Sequence, residues 1–292
     1  MIKKETVFLL RAFGDFVIAL NMVKSSKKIS TVEFIASRHL EALYHAIPAA
    51  FLPADVKISF HDFTISKNIF RCFTNRYFFD TNTVKELFSL RTCVQEIKRR
   101  NGEKKPLNLY LEQKRRRLWP TFFAGYPFKY IVDRGNVYQS YALFFQSSFT
   151  DQENFIFDTR KRGLHILVVP NARIKSREIP PEIVEKINTT YQPVAALVRT
   201  AFFTSAPDDY PGTKVLYHDF KELVTLIEDA DLVIGSDSMP IHLCQLLKKP
   251  HYILHPAKVK DQFFTPYALK HRCHFSFEEI ATRQSFLPND KS

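Results

Sequence analysis

Glycine is scarce in this chain: 7 residues among 292, where average usage of about 7% would supply roughly 20. That shortage argues against a glycine-rich phosphate loop. Cysteine is limited to Cys72, Cys93, Cys244 and Cys273, with no Cys-x-x-Cys pair. This pattern gives neither a disulfide frame nor a zinc ribbon, and reads as reduced core thiols in a cytoplasmic protein. No apolar run approaches the roughly 20 residues of a membrane span, and the N-terminus lacks the apolar stretch of a signal peptide. Membrane association is therefore expected to be peripheral. No repeat of 20–50 residues and no low-complexity segment is present.

What the chain does have is an ordinary globular composition, 45% hydrophobic and 25% charged, with enough length for two domains. Its net charge of +12 is unevenly placed. Residues 1–135 carry 24 Lys and Arg against 12 Asp and Glu, whereas residues 136–292 carry 18 of each. Within residues 85–135 alone, 13 basic residues face 5 acidic ones. A basic first half suits an acidic partner, whether nucleic acid, anionic lipid or a phosphorylated or carboxylated glycan; a solvated basic surface is the plainer alternative.

Hydrophobic periodicity predicts alternating strands and helices. In the first half, strands are expected at Thr6–Leu10, Thr31–Ala36, Val56–Phe60 and Leu107–Leu111. The intervening helices fall at Asp15–Lys24, Arg38–Ala46, Val84–Arg100 and Asn136–Gln146. Residues 63–79 are aromatic and irregular. The alternation restarts with strands Leu164–Val169, Val194–Val198, Lys214–Tyr217, Asp231–Gly235 and His251–Leu254. Helices Glu182–Asn188, Phe220–Asp229 and Pro240–Leu247 accompany them. This is an α/β pattern of two parallel, helix-covered sheets, residues 1–155 and 156–292, with a cleft expected between them.

The segment from Ala230 to Pro256 carries the clearest chemistry. A buried strand ends at Gly235, the polar turn Ser236-Asp237-Ser238 follows, and Pro240 sits where proline opens a helix. Such a turn offers unpaired backbone N–H groups and the positive end of a helix dipole to a diphosphate; equally, Asp237 or Ser238 could simply cap the helix. His242 either faces the same strand ends or packs in the core. His251 and His255, four apart in a strand, lack the helical geometry of a zinc pair, and no metal site is expected.

Four segments in the same order resemble glycosyltransferase family 9, the heptosyltransferases. Asp237, Ser238, His242 and Leu243 match that family's D-[ST]-G turn and H-L pair, and Lys249-Pro250 matches its K-P. Met239 stands where the family has glycine. Phe8–Leu20 resembles the family's strand, R-x-x-x-x-G-D and helix, with Gly14 and Asp15 as the G-D. Val168–Glu182 resembles P-G-A-R…S-K-R-W-P-x-E, with Arg177 in place of the lysine and Ile179 in place of the tryptophan. Phe263–Phe275 resembles W-G-P-Y-G-P-x-H through Pro266, Tyr267 and His271, with both glycines absent.

The resemblance implies a GT-B architecture of two Rossmann-like domains. It further implies metal-independent, inverting transfer of a heptose or related sugar from a nucleoside-diphosphate donor, ADP-linked in the family, to a lipopolysaccharide-type glycan. Asp15 would be the general base, as direct displacement at an anomeric carbon requires. Arg177, Lys175, Asp237, Ser238, Met239 and His242 would surround the donor diphosphate, with Arg173 in reserve. Lys114, Arg115, Arg116 and Arg117 would meet an acidic glycolipid acceptor at an anionic membrane surface, which places the enzyme in the cytoplasm, peripheral to the inner membrane. No specific nucleic acid is expected, although the basic run beside Trp119 is compatible with one. Met239 and the missing glycines leave open a non-catalytic glycan- or nucleotide-binding relative.

Overall fold

In the computed structural model of the protein, the described residues are 5–10, 12–26, 32–62, 81–102, 107–113, 125–132, 135–148, 155, 157, 163–258 and 261–282. The chain forms two compact units. Residues 1–45, 53–135 and 139–147 make the first, and residues 46–52, 136–138 and 148–292 the second.

The first unit contains strands β1 (Glu5–Leu9), β2 (Val32–Ser37), β3 (Lys57–His61), β4 (Asn108–Gln113) and β5 (Lys129–Val132). They pair in the order β3-β2-β1-β4-β5, and every pairing is parallel. The near-continuous apolar runs of β1 and β2 are what a sheet covered on both faces requires, and β2 is buried along its whole length. Helices α1 (Phe13–Lys24), α2 (Glu41–Ala46) and α3 (Thr81–Asn101) lie between the strands in sequence, and α4 (Val137–Phe145) follows β5. Leu90, Cys93, Val94 and Ile97 of α3 pack with Phe8, Ile35, Leu109 and Leu111 of the sheet. The edge strand β5 falls in a stretch for which no strand was expected. Its four residues are too few to establish an alternation.

The second unit contains β6 (His165–Val169), β7 (Leu197–Phe203), β8 (Thr213–Tyr217), β9 (Leu232–Ser236), β10 (His251–His255) and β11 (His274–Ser276). The order is β11-β10-β9-β6-β7-β8, again wholly parallel. Counted from β6, this is the doubly wound dinucleotide-binding order, and the first unit repeats its first five strands. The helices are α5 (Pro181–Tyr191), α6 (Phe220–Asp229), α7 (Met239–Leu246), α8 (Pro266–His271) and α9 (Phe277–Thr282). Strand β7 starts later than expected because Gln192–Val194 continue α5 as a 3-10 turn and Ala195 closes it in the left-handed region, at φ 52°. Lys249 explains its lysine-proline motif structurally: its amine donates to the carbonyls of Glu228 and Ala230 at the end of α6.

Alternation along β9 sends Leu232 and Ile234 into the core shared with Ile183, Val184 and Ile187 of α5. Gly235 therefore presents its Cα to α7. A Cβ there would lie 2.9 Å from Ile241 Cδ1, so the glycine exists for close strand-to-helix approach rather than for an unusual φ. Gly235→Ala is expected to destabilise the protein by about 1 kcal/mol, as overpacking does. In an Ile241→Val background the cost should be smaller, because the Cδ1 methyl is gone while the γ-carbon contact at 3.0 Å remains. Urea unfolding of the four variants, read as a double-mutant cycle, checks this.

Candidate functional site

In each sheet the strand order reverses at one place: between β1 and β4 in the first unit, and between β6 and β9 in the second. In doubly wound folds, ligands bind outside the carboxyl ends of the strands at such points. In the second unit, Val169 at the end of β6 pairs with Gly235 near the end of β9. The loops that leave these strands carry Arg177 and Asp237, whose Nη1 and Oδ2 are 2.8 Å apart. Two residues sixty positions apart are thus joined across the switch point.

Arg177 is held there by its neighbours. It ends a 3-10 turn, Lys175–Arg177. Two residues on, Ile179 is fully buried; its N–H donates to Pro170 O at 3.0 Å, and its carbonyl accepts from Tyr210 Oη at 2.7 Å. An isoleucine where the family carries tryptophan therefore still anchors the loop. Arg173 and Lys175 are exposed.

The Asp237 side chain is only 4% exposed, against 30% for Arg177. Burial pushes the Asp237 carboxyl above its ordinary range, and Arg177 and then His255 pull it back. Ser238 is the N-cap residue of α7 but makes no side-chain cap. Its hydroxyl donates instead to Ser236 O at 3.2 Å. Asp237 is engaged by Arg177, so neither residue plays the simple capping role. Pro240 has no N–H and Ile241 N–H donates to Ser238 O at 3.2 Å, so what the first turn of α7 offers another anion is Met239 N–H and the positive end of its dipole.

His242 packs behind the turn. It is buried, and its Nδ1 lies 3.0 Å from Tyr138 Oη, with Nε2 3.9 Å from Asp237 Oδ1. Burial holds its pKa down at about 3, so this last approach is between a neutral ring and a carboxylate. A proton on Nε2 faces the carboxylate without a hydrogen bond at that distance, and Tyr138 donates to Nδ1. His242 is thus a core histidine that supports Asp237. Its partner Tyr138 was not visible in the sequence pattern. Neither was Asn136, whose side-chain amide donates to the carbonyls of Asp261 and Phe264 at 2.9 and 3.0 Å while its oxygen accepts from Tyr138 N at 2.9 Å. The asparagine side-chain turn ahead of a helix was the available signal.

The last family-like segment is architectural. Thr265 caps α8 through Ala268 N–H at 3.1 Å and lies 2.7 Å from His251 Nε2. His251 Nδ1 is 2.8 Å from Lys249 O, so one neutral tautomer completes the chain of bonds. Tyr267 N–H donates to Gln245 of α7 at 3.1 Å, and the Tyr267 ring stacks on Phe155 with centroids 4.4 Å apart. His255, beside Phe264 and His274, bonds through Nδ1 with Pro256 O at 3.0 Å. Its Nε2 is buried without a protein partner among the described residues.

In the first unit, Asp15 lies within the first turn of α1, not in the loop before it, and is buried. It follows β1 at that unit's switch point. Around it, Leu10 N–H donates to buried Glu112 at 3.0 Å, and Ser37 Oγ donates to Leu10 O at 2.9 Å. These bonds tie the ends of β1, β2 and β4 together. Lys114, Arg115, Arg116 and Arg117 follow β4 directly in sequence but lie outside the described residues, as does Trp119. Among the described residues, no group of three His, Cys, Asp or Glu side chains could hold a metal ion.

Comparison with solved structures is decisive for the architecture. The Escherichia coli heptosyltransferase WaaC with ADP superposes with a TM-score of 0.58 over 97% of this chain and 96% of its own, at 11% identity. The chain has the heptosyltransferase fold. E. coli ADP-heptose lps heptosyltransferase II gives a TM-score of 0.53 over 94% of this chain and 89% of its own, also at 11% identity. A family 9 glycosyltransferase from Veillonella parvula gives 0.55 over 94% and 85%, again at 11%. No protein-family model matches the sequence, and no curated protein does. This GT-B-type arrangement of two Rossmann-like sheets is thus present without detectable overall sequence similarity.

Two buried histidines make this heptosyltransferase fold sensitive to acid. Burial lowers His242 from an ordinary 6.5 to about 3 and His251 to about 4. A folded-state pKa below the unfolded one gives stability that is complete above pH 6.5 and is lost as pH falls toward 4, because the unfolded chain takes up the protons. Each histidine steepens the loss by about 1.4 kcal/mol per pH unit. Raised Asp237 acts in the opposite sense, favouring the folded state once it protonates. His242→Gln is expected to flatten the dependence between pH 6 and 4 by roughly one proton, read from urea midpoints across that range.

Proposed function

We propose that the protein is a glycosyltransferase that moves a sugar from a nucleoside-diphosphate donor to a glycan, with the donor diphosphate bound at the carboxyl ends of β6 and β9. The observation that carries this reading is the Arg177–Asp237 pair at 2.8 Å, set beside an α7 N-terminus that no side chain caps. A leaving nucleoside diphosphate develops negative charge as the glycosidic bond breaks. A fixed guanidinium, the Met239 N–H and the helix dipole stabilise that charge without a metal. Asp237 neutralises much of the charge on Arg177 before the ligand arrives. It fixes the guanidinium plane, while the helix dipole and the exposed Lys175 and Arg173 supply additional positive potential.

In this reading the donor is ADP-linked heptose or a related sugar, transfer is inverting, and Asp15 removes the proton from the acceptor hydroxyl. The nucleotide fits the fold's likeness to a structure whose ligand is ADP. The acceptor is an acidic lipopolysaccharide-type glycan presented at an anionic membrane surface, in keeping with the basic first half. The protein works at the cytoplasmic face of that membrane, and the two units correspond to acceptor and donor domains.

Arg177→Ala is expected to weaken ADP binding about 10- to 100-fold, the loss typical of a charge-assisted hydrogen bond. Arg177→Lys should restore little, since an ammonium cannot reproduce the planar fork. Isothermal titration with ADP measures both, and unchanged affinity in Arg177→Ala would count against the site. Asp15→Asn should leave ADP affinity within twofold and reduce transfer by about 100- to 10,000-fold. Release of ADP from ADP-heptose in the presence of acceptor glycan reads that loss, and near-normal turnover would remove Asp15 from its role.

A further inference from the structure

We infer that the outer face of α3 is a docking surface for an anionic lipid bilayer. This deepens the proposed reading, which puts the acceptor at a membrane, by naming the part of the protein that meets it. At 100° per residue, Arg91, Thr92, Gln95, Lys98 and Arg99 all fall within about 80° of Phe88 around the helix. All six side chains are exposed, whereas Leu90, Cys93, Val94 and Ile97 on the opposite side are buried. Phe88 is 61% exposed, an aromatic ring projecting among cations.

The side chains of Arg91, Lys98 and Arg99 have no hydrogen-bond or ion-pair partner among the described residues. Nearby, by contrast, Lys57 and Arg100 are both held at 3.3 Å by the buried carboxylate of Glu33. Glu96, also exposed, lies about 80° from Phe88 on the other side, as far round as Lys98, so among the described residues the face carries three cations against one acid and stays net positive. The helix has 21 residues and is about 32 Å long, which is enough to lie along a surface.

A bilayer matches both parts of this pattern. Anionic headgroups attract the three cations, and the apolar layer just below accepts the Phe88 ring. A helix face with one exposed aromatic side chain among its described residues offers little stacking surface to the bases of a duplex. Because the apolar side of α3 is already buried in the core, the contact is shallow, reversible and salt-dependent.

Vesicle sedimentation of the full chain, without donor or acceptor, tests the assignment independently of any transfer activity. Phosphatidylcholine vesicles containing 30% phosphatidylglycerol are expected to retain the protein at 50 mM salt and release it at 300 mM, while pure phosphatidylcholine retains little. Replacing Arg91, Lys98 and Arg99 together by Gln should lower partitioning about 100-fold, at about fivefold per cation. Phe88→Ser should lower it several-fold. A charge-matched control, Lys221→Gln with Lys248→Gln and Arg272→Gln, should behave nearly as wild type. Equal losses in the two triple variants would overturn the inference, as would equal binding to both vesicle types. Displacement of the protein from vesicles by an oligonucleotide, with the same dependence on the α3 cations and no release by the control variant, would assign the face to nucleic acid and overturn it too.

Discussion

A carboxylate placed almost wholly out of water must find a cation, and Asp237 finds Arg177. The arrangement at the carboxyl edge of the second sheet follows from this requirement. Arg177 can answer only because Ile179 pins its loop by a buried side chain and hydrogen bonds at both backbone ends. Asp237 can stay only because neutral His242 and Tyr138 close the space behind it. Removing one partner of such a pair leaves an uncompensated buried charge, a loss of about 3–5 kcal/mol. The same pair leaves the start of α7 without a side-chain cap, so Met239 N–H and the positive end of the helix dipole stand beside a fixed guanidinium.

Much of this was legible in the sequence, for identifiable reasons. The buried apolar runs of β1, β6 and β9, and the spacing of Phe220, Leu223, Val224 and Ile227 in α6, are readable without help from distant residues. The turn at Asp237 and Ser238 was readable because proline and small polar residues mark helix starts locally. What escaped was short or non-local. Strand β5 has four residues and β11 has three, and each is a strand only because a neighbour pairs with it. The link between Asn136, Tyr138 and His242 spans more than a hundred positions, and no local pattern encodes it. The pairing of Arg177 with Asp237 was likewise hidden, although both residues had been placed at the same site.

The departures from the family's motifs acquire physical meanings in the folded chain. Gly235, one of the few glycines, is needed where β9 approaches Ile241. Isoleucine at position 179 does the anchoring expected of a larger ring, and the proline-tyrosine segment of α8 packs against α7 rather than reaching outward. Met239 occupies the first position of α7, where its backbone N–H, not its side chain, is the group an anion would use. A heptosyltransferase-type architecture is thus present at 11% identity.

The central claim is that a nucleoside diphosphate sits between the loop after β6 and the start of α7. Hydrogen–deuterium exchange of the wild-type protein with and without saturating ADP locates the ligand directly. Protection is expected in residues 171–178 and 237–242, with the second unit's remaining strands unchanged. ADP binding with no protection in either segment, or protection confined to the first unit, would contradict the account.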